Sequence, residues 1–177
     1  GMALTYATRD RGGCHRRARP IEIEAAVGPD WTIADTVRAV VGEQTVRSVL
    51  WSLVIDDFVG ETLWEDLGNE WLAAVDRDYG NDELVRVGDR IWTLVRLFNA
   101  REGFDRESDR LPEPMLEAVP DGPAAGESID VGPFEGALDA YYRARGWGPD
   151  GLPTRATVAR LGLGDVLDDE TPLGDPW

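Results

Sequence analysis

The sequence contains no lysine. Its 18 basic residues are all arginine and stand against 34 acidic ones, giving a net charge of −16. A surface of this kind repels phosphate backbones and anionic headgroups, so nucleic acid and membrane surfaces are excluded as expected partners. Cysteine is almost absent too. The single Cys14 excludes an internal disulfide and any self-contained thiolate cluster. No apolar run approaches the ~20 residues that span a bilayer, and no signal peptide opens the chain, so a soluble cytoplasmic protein is expected.

What is present is an ordinary globular interior. Hydrophobic residues make up 42% of the 177 positions, enough for one domain with a sizeable core. The acidic, lysine-free balance suits a protein that stays dissolved in high salt, where the Debye length shrinks to ~3 Å at 1 M. A halophilic, GC-rich host accounts for it, as does a GC-rich host whose proteins are acidic in general.

Helical periodicity dominates the chain. Residues 1–31 carry Gly12-Gly13, Pro20 and Gly28-Pro29 and read as loop, with at most a short extended piece at 21–25. Thr32 and Asp35 form a capping box. Behind it Val37, Val40, Val41, Val46, Val49, Leu50 and Leu53 recur at helical spacing, with a possible break at Gly42. A shorter amphipathic stretch covers 63–75. Asn81 is placed to cap a long helix whose apolar stripe is Leu84, Val87, Ile91, Leu94, Val95 and Phe98, stopping at Gly103. Prolines and glycines make 104–132 an irregular connection. A helix over 134–145 opens at Pro133, and Thr154 caps a last short one. The expected architecture is all-α, an irregular multi-helix domain with long loops over 1–164, followed by an acidic, mobile tail over 165–177 whose Trp177 can dock.

Three stretches, in order, resemble the aldehyde:ferredoxin oxidoreductases. The first runs from Gly1-Met2-Ala3-Leu4-Thr5-Tyr6-Ala7-Thr8 through Asp10-Arg11-Gly12-Gly13-Cys14-His15. The second is Leu97-Phe98-Asn99-Ala100-Arg101-Glu102-Gly103-Phe104, then Arg106 and Asp109-Arg110-Leu111-Pro112. The third is Tyr141-Tyr142-Arg143-Ala144-Arg145-Gly146-Trp147, then Asp150-Gly151-Leu152-Pro153-Thr154 and Leu161-Gly162-Leu163. In that family these stretches belong to the last of three domains, two of them helical and closing over a β-rich base that holds a tungsten bis-pterin cofactor. The resemblance implies oxidation of aldehydes to carboxylates, with electrons passing through a [4Fe–4S] cluster to ferredoxin. Most of that machinery lies upstream of these residues, so no cofactor is expected in the isolated chain.

The resemblance also assigns residues. His15, taken alone, reads as a solvated loop histidine among arginines; the family places a histidine near the metal at the matching position, where an imidazole can relay protons as water adds to an aldehyde carbon. Asp57-Phe58-Val59-Gly60-Glu61-Thr62 partly matches an Asp-x-x-Gly-Leu-Cys motif whose carboxylate accepts hydrogen bonds from pterin N–H groups. Asp57 and Gly60 fit, and Asp56 offers a second register. The cysteine is missing: Thr62, or Glu61 in the shifted register, stands where the family has a cluster ligand, and neither replaces a thiolate well. Either the cluster takes another ligand or it has been lost.

Other features carry less. Adjacent Cys14 and His15 supply too few ligands for zinc and lack the third group of a Cys–His pair. The aromatic run 141–147 is expected to pack in the core, Asn99, Arg101 and Glu102 to serve as caps and ion pairs, and Gly162 and Gly164 lack the context of a phosphate loop. Two functions stand against each other: a domain or split fragment of the oxidoreductase, completed by upstream domains or a subunit and inactive alone, or a non-catalytic remnant acting as a protein-interaction module, with homo-oligomerisation through an exposed apolar face.

Overall fold

The computed structural model describes all residues but Gly12, Glu61, Thr62, 64–68 and Asp76, together with the side chain of Asp57. The described residues are helical, joined by 3₁₀ turns and loops, and contain two isolated β-bridges but no strand. The helices are α1 (Met2–Ala7), α2 (Ile21–Val27), α3 (Ile33–Ser52), α4 (Asp57–Gly60), α5 (Asn69–Ala73), α6 (Asn81–Arg101), α7 (Val131–Arg145) and α8 (Arg155–Leu161).

Helix α3 is the spine, packing against both α6 and α7. Thr32 caps it as expected: its hydroxyl accepts the Asp35 N–H at 3.2 Å, and the Asp35 carboxylate accepts the Thr32 N–H at 3.1 Å. Gly42 does not break it; the helix runs through, because burial of Val37, Val40, Val49 and Leu50 outweighs one poor residue. Glycine has the opposite use at Gly88. A Cβ there would lie 2.3 Å from the Thr45 carbonyl oxygen, so α3 and α6 cross at backbone contact.

That crossing sets the roll of α6 and corrects one expectation. Leu84 is buried, but Leu94 and Phe98 are exposed and Val87, Ile91 and Val95 only half-buried. The helix instead turns Gly88, Trp92, Thr93, Arg96 and Leu97 inward. Buried Thr93 and Arg96 count as polar in any hydrophobic pattern, so periodicity pointed about one residue off. The cap is Gly80 rather than Asn81, with the Glu83 carboxylate accepting its N–H at 3.2 Å.

The N-terminal segment is also corrected. It holds two short helices, α1 and α2, where loop and an extended piece were expected. Leu4 and Ala7 of α1 are buried, so tertiary packing stabilises a helix too short to persist alone. Of the stretch over 63–75, residues 64–68 lie outside the described residues, and α5 covers 69–73 with Leu72 buried and Trp71 exposed. Helix α7 begins at Val131, capped by Asp130, and ends at Gly146. Thr154 caps α8, its hydroxyl accepting the Thr157 N–H.

Leu4, Ala18, Val37, Val40, Trp92, Leu138, Tyr141, Tyr142 and Trp147 form the main core. A polar chain runs through it. Arg145 donates to Gln44 Oε1 at 2.8 Å and to Asp89 at 2.9 Å; Tyr141 also donates to Gln44 Oε1, at 2.7 Å, and Trp92 Nε1 donates to the Tyr141 hydroxyl at 2.8 Å. The tail folds back: Trp177 Nε1 donates to the Trp147 carbonyl at 2.9 Å, and the Arg143 guanidinium lies 3.7 Å from the Trp177 ring centroid.

Candidate functional site

The loop carrying His15 is pinned at both ends and across its middle. Thr8, where α1 ends, receives Gln44 Nε2 at 3.2 Å from the core. Asn99 Nδ2 donates to the Asp10 carbonyl at 3.0 Å. Arg17 closes the loop on itself with a two-pronged grip on Asp10, Nε to Oδ1 at 2.8 Å and Nη2 to Oδ2 at 2.7 Å, while its guanidinium sits 4.3 Å from the Trp51 ring centroid. Ala18 is fully buried, and the Arg19 N–H donates to the carboxylate of Glu43, itself a buried residue of α3. Backbone and side chains thus position a turn that presents His15 to solvent.

The second element follows α3. Val54 turns the chain with φ +60°, a left-handed conformation costing a β-branched residue about 1–2 kcal/mol. Ile55 then tucks into the protein and Asp56 opens α4, its Oδ1 accepting the Phe58 N–H at 2.9 Å. Asp57 is the first residue of α4. Gly60 is buried, and a Cβ there would sit 3.2 Å from Leu50 Cδ1, so its lack of a side chain already serves the packing of α4 on α3. Glu61 and Thr62, which the resemblance aligned with a cluster-ligand position, lie outside the described residues.

These elements face one opening. A cavity of about 260 Å³ is lined by Arg11, Arg16 and Arg17 from the loop and by Trp51, Ile55 and Asp56 from the end of α3 and beyond. The structure therefore brings Asp56 to the His15 loop, which their separation of some forty residues in sequence does not announce. His15 itself is exposed beside this cavity's arginines rather than among its lining residues.

A second cavity, about 310 Å³, lies on the other side of Arg11. It is bounded by the turn 9–11, by Arg96 and Asn99 of α6, and by the segment from Phe104 to Asp109. Its floor is a buried ion pair, Arg96 Nη1 to Asp109 Oδ1 at 2.9 Å and Nη2 to Oδ2 at 2.8 Å, with Arg96 Nε donating to the Gly151 carbonyl. Tyr142 completes it, donating to Asp109 Oδ2 at 2.6 Å. Burial, and then the adjacent Asp109 carboxylate, push the Tyr142 phenol far above its ordinary value.

Cys14 is a free thiol, half-buried in the loop. Burial pushes it up, but the Arg16 N–H and the Arg11 guanidinium, 3.5 Å from the sulfur, outweigh this and hold it below the ordinary thiol value. Among the described residues no group of three or more histidine, cysteine or carboxylate side chains is arranged to hold a metal ion. None of the described helices is long and apolar enough to cross a membrane. Sequence reasoning singled out His15, Asp56, Asp57 and Gly60 but missed Arg11, Arg17 and the Arg96–Asp109 pair. The density of arginine over 9–19 in so acidic a chain was the available signal for the first two; nothing local marks the buried pair.

An all-helical domain with an arginine-lined loop and an aspartate-bearing turn at one opening is the class of structure that these residues define. The family model for aldehyde ferredoxin oxidoreductase, domains 2 and 3, matches residues 1–163, and the chain belongs to this family. Tungsten-containing aldehyde ferredoxin oxidoreductases are among its relatives: that of Pyrococcus horikoshii is 31% identical over 94% of this chain, that of Pyrococcus furiosus 30% over 93%, and that of Thermococcus kodakarensis 30% over 94%. In each case the match spans only 28% of the relative's length, so the chain corresponds to a C-terminal part of such enzymes.

Proposed function

We propose that this chain forms the closing wall of an aldehyde oxidoreductase active site, the rest of which comes from upstream domains or a separate subunit. The observation that carries this reading is the 260 Å³ cavity shared by the His15 loop and Asp56. Its donor set suits a pterin: Asp56 keeps an oxygen beyond the one engaged by Phe58, and a carboxylate is the acceptor that the amino and ring N–H groups of a pterin require. Asp57 and Gly60 would extend the same contact. When bound, a tungstopterin supplies the two-electron oxidation of aldehyde to carboxylate. The chain's own contribution is positional and protonic. The pinned loop holds His15 at the opening, where its imidazole takes up or returns a proton as water adds to the aldehyde carbon. Arg11 keeps the rim cationic and so favours carboxylate formation, while Arg17, paired with Asp10, holds the loop in shape. A [4Fe–4S] cluster, which would pass electrons on to ferredoxin, would receive no thiolate from this chain, since Thr62 or Glu61 stands at that position; it would take another ligand or be absent.

Elemental analysis of the chain purified from its native host tests this. Stoichiometric tungsten or molybdenum together with a larger co-purifying polypeptide is the expected result. Metal-free, homogeneous protein would overturn it and favour the second reading, a cofactor-free interaction module. That reading draws on Leu94, Phe98 and Phe104, which α6 and the following turn leave exposed.

A further inference from the structure

From the geometry of the larger cavity we infer that it is a binding site for a small monoanionic carboxylate. The starting point is charge. In a chain of net charge −16, this 310 Å³ space is lined by three arginines, Arg9, Arg11 and Arg96, against two aspartates. Both aspartates are already neutralised, Asp109 by Arg96 and Asp10 by Arg17 from outside the cavity. Arg9 donates to the Tyr6 carbonyl and Arg11 to the Cys14 sulfur, and among the described residues no carboxylate lies within ion-pair distance of either. Among the described residues, two cationic groups therefore border a partly open space without a carboxylate of their own.

The floor is self-neutralised: Arg96, 5% exposed, grips Asp109 with Nη1 at 2.9 Å and Nη2 at 2.8 Å, which leaves Arg9 and Arg11 as the cavity's cationic groups for a ligand.

The same residues choose between anions. Two guanidinium groups without a carboxylate partner among the described residues supply a planar fork that matches a carboxylate, and a dianionic phosphate would bring more charge and more acceptor oxygens than these two groups and the apolar wall can satisfy. Phe104 and Ala7 supply an apolar wall for the ligand's carbon skeleton. Arg11 borders both cavities, so a carboxylate held here lies next to the opening that carries the proposed oxidation chemistry. Binding rests on the larger cavity alone; only its value for retaining an acid product rests on the proposed function.

The test is calorimetric titration of the intact chain, at constant ionic strength, with benzoate, with inorganic phosphate and with benzyl alcohol. Saturable 1:1 binding of benzoate is expected, with phosphate and the neutral alcohol at least tenfold weaker. Arg9→Gln, which borders this cavity and not the smaller one, should weaken benzoate at least fivefold, as should Arg11→Gln. Arg155→Gln, at the exposed start of α8, should not. Phosphate binding as tightly as benzoate, no saturable binding, or equal affinity in the Arg9 and Arg155 variants would each overturn the assignment. Elemental analysis is blind to these outcomes, so either reading can fail without the other.

Discussion

Tyr142 shows how a single side chain ties stability to pH. Its hydroxyl is held by Asp109 in a buried setting that raises its pKa, first through desolvation and then through the neighbouring carboxylate. A raised folded-state value means the unfolded chain loses this proton first, near pH 10. The contribution is therefore fully present below pH 10 and is lost as pH rises further, at up to about 1.4 kcal/mol per pH unit for one proton. Urea unfolding between pH 8 and 11 should show this decline, and Tyr142→Phe should make it shallower. At neutral pH that variant should lose roughly 1.5–3 kcal/mol, because a hydrogen bond to a charged acceptor disappears. His15 and Cys14, which sequence inspection finds first, sit in the loop and carry none of this packing.

At the scale of elements, two glycines in helix interiors make opposite demands. Gly42 in α3 is exposed and has nothing within 4 Å of an added Cβ, so Gly42→Ala should stabilise by about 0.5–1 kcal/mol through lower backbone entropy in the unfolded chain. Gly88 in α6 has the same intrinsic penalty but lies against the Thr45 carbonyl. Gly88→Ala should destabilise by roughly 1–3 kcal/mol, since the helix pair must separate. Thermal unfolding of both variants checks the contrast; matching signs would mean that α3 and α6 do not cross so closely. This crossing also explains why the apolar stripe read along α6 differs from the face that is buried. Periodicity locates a helix well, but its roll is chosen by the partner helix and by whichever polar groups find partners inside.

For the molecule as a whole, the charge of −16 and the absence of lysine bear on solvent conditions more than on architecture. Self-repulsion among carboxylates is screened by salt, so the melting temperature should rise from 0.1 M to 2 M sodium chloride. A flat or falling response would remove the argument for a halophilic setting. The chain's 28% share of its relatives' length makes the two cavities and the exposed side of α6 the surfaces of greatest functional interest.

The sequence by itself determined the helical class, the capping of α3 and α8, the burial of the 141–147 aromatics and the family, because each depends on local spacing or on an ordered run of residues. Only the tertiary structure decided that Asp56 meets the His15 loop, that Arg96 and Asp109 pair beneath a cavity, and that the N-terminal residues fold as helices. These outcomes depend on contacts between distant segments. Short helices such as α1 owe their stability to the core they join, and a buried charge is tolerated only where a partner from elsewhere in the chain is delivered to it.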